Sequence, residues 1–133
     1  MKTVLILSAK NSFRSIVAEA LINKYLNNIQ AFSAGIEESS GIDLNAKRLL
    51  ECDEAWNDNG YISKTLDKII DNEFDLVVTL CSKAEEICPE FSRNTEVIHV
   101  EFEDPKGDEL ESYENVYQEI KEKLLPIVRK KLS

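Results

Sequence analysis

Residues 3–15 read TVLILSAKNSFRS, and the fold turns on how this stretch divides. Thr3 to Leu7 are β-branched or apolar without polar alternation, the pattern of a strand buried on both faces. From Ser15 to about Leu26, the residues Ile16, Ala20, Leu21 and Tyr25 fall near helical spacing, which predicts a helix with Ser12 or Ser15 as its N-cap. A short polar loop lies between. A helix start leaves backbone N–H groups unpaired and carries partial positive charge, so a loop running from strand into helix is ready to cradle an anion. The candidate anion-binding segment is therefore Ser8, Ala9, Lys10, Asn11, Ser12, Phe13, Arg14 and Ser15. Its Arg14 guanidinium offers a two-pronged fork to two anion oxygens. Taken alone, the same loop reads equally well as turn and cap residues followed by a surface arginine.

The alternation continues downstream. IQAFSAG (29–35) reads as a second strand closed by Gly35, and LNAKRLLE (44–51) as a short helix. The polar loop that follows carries Trp56 and Tyr61, a candidate rim for the site. SKTLDKIIDN (63–72) predicts another helix, capped by Ser63. DLVVTL (75–80) is a third buried strand, SKAEEIC (82–88) a short helical turn and EVIHV (96–100) a fourth strand. After the loop EFEDPKGDELES, Ser112 is expected to open the last helix, with Tyr113, Val116, Ile120, Leu124 and Val128 as its apolar stripe. Pro126 is expected to kink that helix, because its nitrogen cannot donate to the carbonyl four residues back. Four apolar strands with helices between them predict an α/β fold: three layers, a four-stranded parallel sheet with helices on both faces. Ligands bind such sheets at the carboxyl ends of the strands, which places the site at the loop beginning with Ser8.

Composition bounds the function. At 133 residues the chain has room for one domain, expected over 1–133, and not for two ordinary ones. A net charge of −9 argues against nucleic acid as the main partner, since phosphate backbones are held by clustered Lys and Arg. Any anion site must be local. No apolar run approaches membrane-spanning length and MKTVLIL is short for a signal segment, so no membrane partner and a cytoplasmic location are expected. Cys52, Cys81 and Cys88 are odd in number and sparse, unlike a secreted disulfide framework.

SAKNSFRS after the first strand, FSAGIE after the second, SKTL, DLVVTLCSKAEEICP and FEDP resemble, in order and spacing, the thioredoxin-coupled arsenate reductases built on the low-molecular-weight protein tyrosine phosphatase fold. The resemblance covers nearly the whole chain. It implies that fold, and an anion loop of the form Cys-x5-Arg in which a low-pKa thiolate attacks phosphorus or arsenic. Ser8 stands at the nucleophile's position, Arg14 at the arginine's, and Asn11 at that of the loop asparagine. Asp104, followed by Pro105, matches the general acid. Cys81 and Cys88 match the two cysteines that relay a disulfide to thioredoxin. The implied ligands are phosphate, arsenate or a phosphorylated molecule, and no cofactor is required. A potassium ion that steadies the loop would map onto Asn11, Glu19 and Ser33, with a fourth ligand around Asn57 or Asp58. Two departures stand out: Lys10 where a glycine is usual, and Phe13 where many members carry a second cysteine.

Ser8 alters the chemistry. A cysteine of pKa about 8.5 is driven to thiolate by a helix N-terminus and a neighbouring arginine, and a serine is not. A serine nucleophile needs an adjacent base, and the one histidine, His99, lies in a predicted strand far along the chain. The sulfur relay also lacks its first sulfur, so the chain is expected neither to reduce arsenate by that route nor to form a cysteinyl-phosphate. Cys81 and Cys88 would lie roughly 10.5 Å apart along a continuous helix, whereas a disulfide needs Cα atoms within about 7 Å. The pairing that the resemblance implies therefore requires SKAEEIC to unwind; otherwise both remain reduced. Cys52 reads as a bystander, buried or half-exposed. A zinc site built from the three cysteines and His99 lacks close ligand pairs. Asp104 sits among Glu101, Glu103 and Asp108, and Pro105 favours an acid role over plain surface charge. Three functions remain: a family enzyme with its nucleophile replaced, a non-catalytic module that binds phosphate, and a dithiol redox protein using Cys81 and Cys88.

Overall fold

The computed structural model describes residues 1–57 and 60–133. Four strands, β1 (Lys2–Ser8), β2 (Ile29–Gly35), β3 (Leu76–Thr79) and β4 (Glu96–His99), pair in parallel in the order β2-β1-β3-β4. Parallel neighbours need a long crossover rather than a tight turn. α1 (Arg14–Tyr25) carries the chain from β1 to β2, α2 (Leu44–Cys52) lies between β2 and β3, α3 (Ser82–Ile87) between β3 and β4, and α4 (Leu110–Lys131) follows β4. Successive strand residues point to opposite faces. Val4, Ile6, Leu76 and Val78 pack with Ile16, Leu50 and Leu124 of α1, α2 and α4. Leu5, Leu7 and Val77 face the other way, against Phe74, Cys81 and Ala84. The three layers are as expected, with three helices on one face and the short α3 on the other.

Several local expectations are corrected. The segment 63–72 is not a helix: a single 3-10 turn, Leu66–Lys68, replaces it. Its start is held extended by the anion-loop segment and β2, with Ser63 Oγ donating to Asn11 O, Lys64 N to Asn11 Oδ1, and Gly35 N to Lys64 O. Neither Ser12 nor Ser15 caps α1. Phe13, whose ring offers no acceptor, occupies the N-cap position, and the Ser15 hydroxyl is engaged beneath the loop. α4 begins at Leu110 rather than Ser112 and continues past Pro126 to Lys131. Pro126 lies on the exposed side of the helix. Cys52 is exposed. No helix among the described residues is long and apolar enough to cross a membrane.

The register sets up the site. Ser8 pairs with Gly35, Leu7 with Thr79, and Thr79 with His99, so the carboxyl ends of all four strands form one row. The segments leaving that row carry residues 8–13, Cys81 and Asp104.

Candidate anion-binding site

The loop from Ser8 into α1 turns its carbonyls outward. Ser8 O accepts from Ile36 N, Ala9 O from Glu37 N and Ser12 O from Asp43 N, while Asn11 O accepts the Ser63 hydroxyl at 2.7 Å. The N–H groups of Lys10, Ser12, Phe13, Arg14 and Ser15 meet no protein acceptor among the described residues. A ring of inward donors at a helix start is suited to an anion. Asn11 takes φ 50, a left-handed conformation that asparagine tolerates. Gly35 lets the loop close: a Cβ there would lie 2.8 Å from Lys10 C and 2.9 Å from Asn11 N.

The resulting pocket is lined by Ser8, Ala9, Lys10, Ser12, Phe13, Arg14 and Asp104. Arg14 is buried, and two of its donors are committed: Nη1 to Phe102 O at 2.9 Å, and Nε to Asp104 Oδ1 at 2.9 Å. Three of the five guanidinium hydrogens stay available. Asp104 is exposed at the pocket mouth, held there by Arg14 from ninety residues earlier in the chain. Phe13 packs edge-on against Tyr113 of α4, with ring centroids 5.1 Å apart, and this fixes the wall.

Beneath the pocket runs a buried polar chain. Asn11 Oδ1 accepts from Lys64 N at 2.9 Å, and Asn11 Nδ2 donates to Ser15 Oγ at 2.8 Å and Ser33 Oγ at 2.9 Å. Ser33 Oγ donates to Glu19 Oε1 at 2.5 Å. Ser15 Oγ lies 2.7 Å from Ser8 Oγ, which also accepts from Asn11 N at 3.3 Å. Burial pushes the Glu19 carboxyl up to about 7, against the opposing pull of the Ser33 hydrogen bond and the Lys64 charge.

Residues 3–132 match the family described as low molecular weight phosphotyrosine protein phosphatase. This chain belongs to that family. An arsenate reductase of Brevibacillus brevis is 39% identical over 120 residues, covering 90% of this chain and 88% of the relative. One from Bacillus cereus strain AH187 is 38% identical over 124 residues, covering 92% and 91%. Among solved structures, the arsenate reductase of Archaeoglobus fulgidus superposes with a TM-score of 0.76 at 31% identity, covering 94% of this chain and 98% of that one. An arsenate reductase in the phosphate binding state gives a TM-score of 0.78 at 25% identity over the full length of both chains.

Within this phosphatase-family fold, Ser8 and His99 are not a couple. They end strands β1 and β4, two strand spacings or roughly 10 Å apart. The His99 ring contacts Thr79 Oγ1 at 2.7 Å and Glu101 Oε1 at 2.8 Å instead. Cys81 is buried at the N-cap of α3 and Cys88 half-buried at its C-cap, both as free thiols in the apolar cluster that also takes in Ala9. Burial raises the Cys88 thiol above its usual range. Among the described residues, no three His, Cys, Asp or Glu side chains are grouped to hold a metal ion. Of the residues considered for potassium, Glu19 and Ser33 bring two oxygens together, while Asn11 turns its amide nitrogen toward Ser33 and its oxygen toward Lys64. Asn57 lines a cleft with Glu19, Tyr61 and Lys64; Asp58 lies outside the described residues. Sequence reasoning missed the Phe102 carbonyl and the Ser63–Lys64 brace. Only SKTL and FEDP, as motifs, pointed to their neighbourhoods.

Proposed function

We propose that this protein binds a tetrahedral oxyanion, phosphate or arsenate, in the loop 8–15, and that with Ser8 in place of a thiol it does not turn the anion over through a covalent intermediate. The observation that carries the reading is the pocket itself: loop N–H groups without a protein acceptor among the described residues, the Arg14 guanidinium in its lining, and Asp104 fixed by Arg14 at the mouth. Full-length similarity to proteins named arsenate reductases supports the choice of anion. In this reading the backbone donors and Arg14 hold the anion oxygens, and Asp104 faces an outer oxygen as a proton donor or acceptor. Ser8 has no base. Its partners are the Ser15 hydroxyl and the Asn11 N–H, and neither removes a proton. Glu19 and Ser33 are the residues that would hold a potassium ion, whose charge would steady the loop through Asn11. The free thiols agree with a reducing, cytoplasmic setting.

Calorimetric titration with phosphate and arsenate tests binding. A parallel assay of the parent and Ser8→Cys, with an aryl phosphate and with arsenate plus thioredoxin and its reductase, tests turnover. The expected result is binding without turnover in the parent and a gain of turnover in Ser8→Cys. Turnover by the parent, or no binding at all, overturns the reading. A second reading, a dithiol exchanging with thioredoxin through Cys81 and Cys88, is favoured by the placement of both thiols at the ends of one short helix in one cluster. It predicts a thioredoxin-reducible disulfide in a protein indifferent to oxyanions.

A further inference from the structure

We propose that Ser8 is itself an oxyanion ligand, donating its hydroxyl hydrogen from the floor of the pocket. The inference rests on the binding reading above and adds the atom that distinguishes this floor from one carrying a thiolate.

The direction of each hydrogen bond beneath the loop is fixed from its far end. The Lys64 N–H only donates, so Asn11 Oδ1 is the acceptor there and Asn11 Nδ2 is turned to Ser15 and Ser33. Nδ2 in turn only donates. Ser15 Oγ, wholly buried, therefore accepts from Asn11, and its own hydrogen has one acceptor in reach among the described residues: Ser8 Oγ, 2.7 Å away. Ser8 Oγ already accepts from Asn11 N. A hydroxyl oxygen has two lone pairs, and both are now used. The Ser8 hydrogen is left over, and the space in front of it is the pocket that Ser8 lines with Lys10 and Arg14.

Leaving a nearly buried hydroxyl hydrogen without an acceptor is unfavourable, and an anion oxygen removes that penalty. A thiolate at position 8 would take up the same two hydrogen bonds and then set a negative charge against the anion. The serine instead passes a hydrogen forward, so every group on the floor donates, and the ligand class favoured is a tetrahedral oxyanion in its more highly charged form. The other charged groups bearing on the pocket are Lys10 and Arg14 along its sides and Asp104 at the mouth. Glu19 is reached through Asn11 and Ser33, with Lys64 beside it.

The test is calorimetric titration of inorganic phosphate, then arsenate, into the parent, Ser8→Ala and Ser8→Cys, with circular dichroism confirming that each variant folds. Ser8→Ala is expected to bind about tenfold or more weakly, the loss of one hydrogen bond to a charged group. For Ser8→Cys, the deficit relative to the parent should widen between about pH 4 and about pH 8, as the thiol, its pKa lowered by the helix start and Arg14, ionises opposite the anion. The Ser8→Ala deficit should not follow that slope. Equal affinity in Ser8→Ala and parent, or a Ser8→Cys deficit independent of pH, overturns the role of Ser8 and leaves the binding function standing. No binding by the parent overturns both.

Discussion

Glu19 is a carboxyl kept almost wholly out of water, with the Ser33 hydroxyl as its hydrogen-bond partner. Its folded-state pKa is raised from 4.5 to about 7, so the fold prefers the neutral acid. The stability this preference contributes is full below about pH 4.5 and is lost as pH rises through about 7, to a total of roughly 3 kcal/mol. Urea unfolding of the parent at about pH 5 and pH 8 should show that loss, and Glu19→Gln should flatten most of it. Potassium added at the higher pH should restore part of the parent's stability and none of the variant's. Gly35 poses a steric problem rather than an electrostatic one. A methyl group there presses on the backbone at Lys10 and Asn11, so Gly35→Ala should cost about 1–3 kcal/mol and weaken phosphate binding, read by thermal denaturation and titration on the same sample.

At the scale of elements, α3 holds apart the two thiols that the resemblance pairs. Its six helical residues lie between Cys81 and Cys88, and it is tied down by an ion pair from Lys83 to Glu37 and by the approach of Glu85 to the His99 ring at 3.7 Å. A Cys81–Cys88 disulfide therefore requires its loss. Diamide-oxidised protein should give up the far-ultraviolet signal of about one and a half turns of helix, and Cys88→Ser should oxidise without that change. In the native state the exposed Cys52 should react first with a thiol reagent. The strands were legible in the sequence because β1 and β3 are buried on both faces and read as unbroken apolar runs. The segment 63–72 was not. Leu66 and Ile69 have helical spacing, yet they pack a single turn while Ser63 and Lys64 are captured by Asn11, a contact more than fifty residues away in sequence. The site was legible in the same measure. The Ser8-to-Arg14 spacing and the FEDP motif pointed to the pocket, whereas the direction of the Asn11–Ser15–Ser8 hydrogen bonds depends on Lys64 N, which no local pattern reveals.

Across the whole molecule, two knots act at different places, one tying helices to one another and the other tying the first strand and helix to the loops around them. Asp53, following α2, accepts hydrogen bonds from Tyr25 of α1 at 2.6 Å, and from Tyr117 and Lys121 of α4 at 2.7 and 3.1 Å. Desolvation raises its pKa, but these bonds outweigh that and hold it below the usual carboxylate range. The other knot is the anion loop, which binds β1 and α1 to the segments at Glu37, Asp43, Ser63 and Phe102. An anion in that loop stabilises the native state alone, by about 2.7 kcal/mol at a hundredfold excess over Kd, or roughly 10 °C in Tm for a domain of this size. Among the described residues the two knots share no side-chain bond, so their contributions should add. Asp53→Ala should thus lower Tm in buffer while keeping the full phosphate-induced rise, and Arg14→Ala should abolish the rise whatever it does to the starting Tm. Differential scanning calorimetry of the parent and both variants, with and without phosphate, decides between this and a single cooperative network. In a network, Asp53→Ala would shrink the phosphate shift as well.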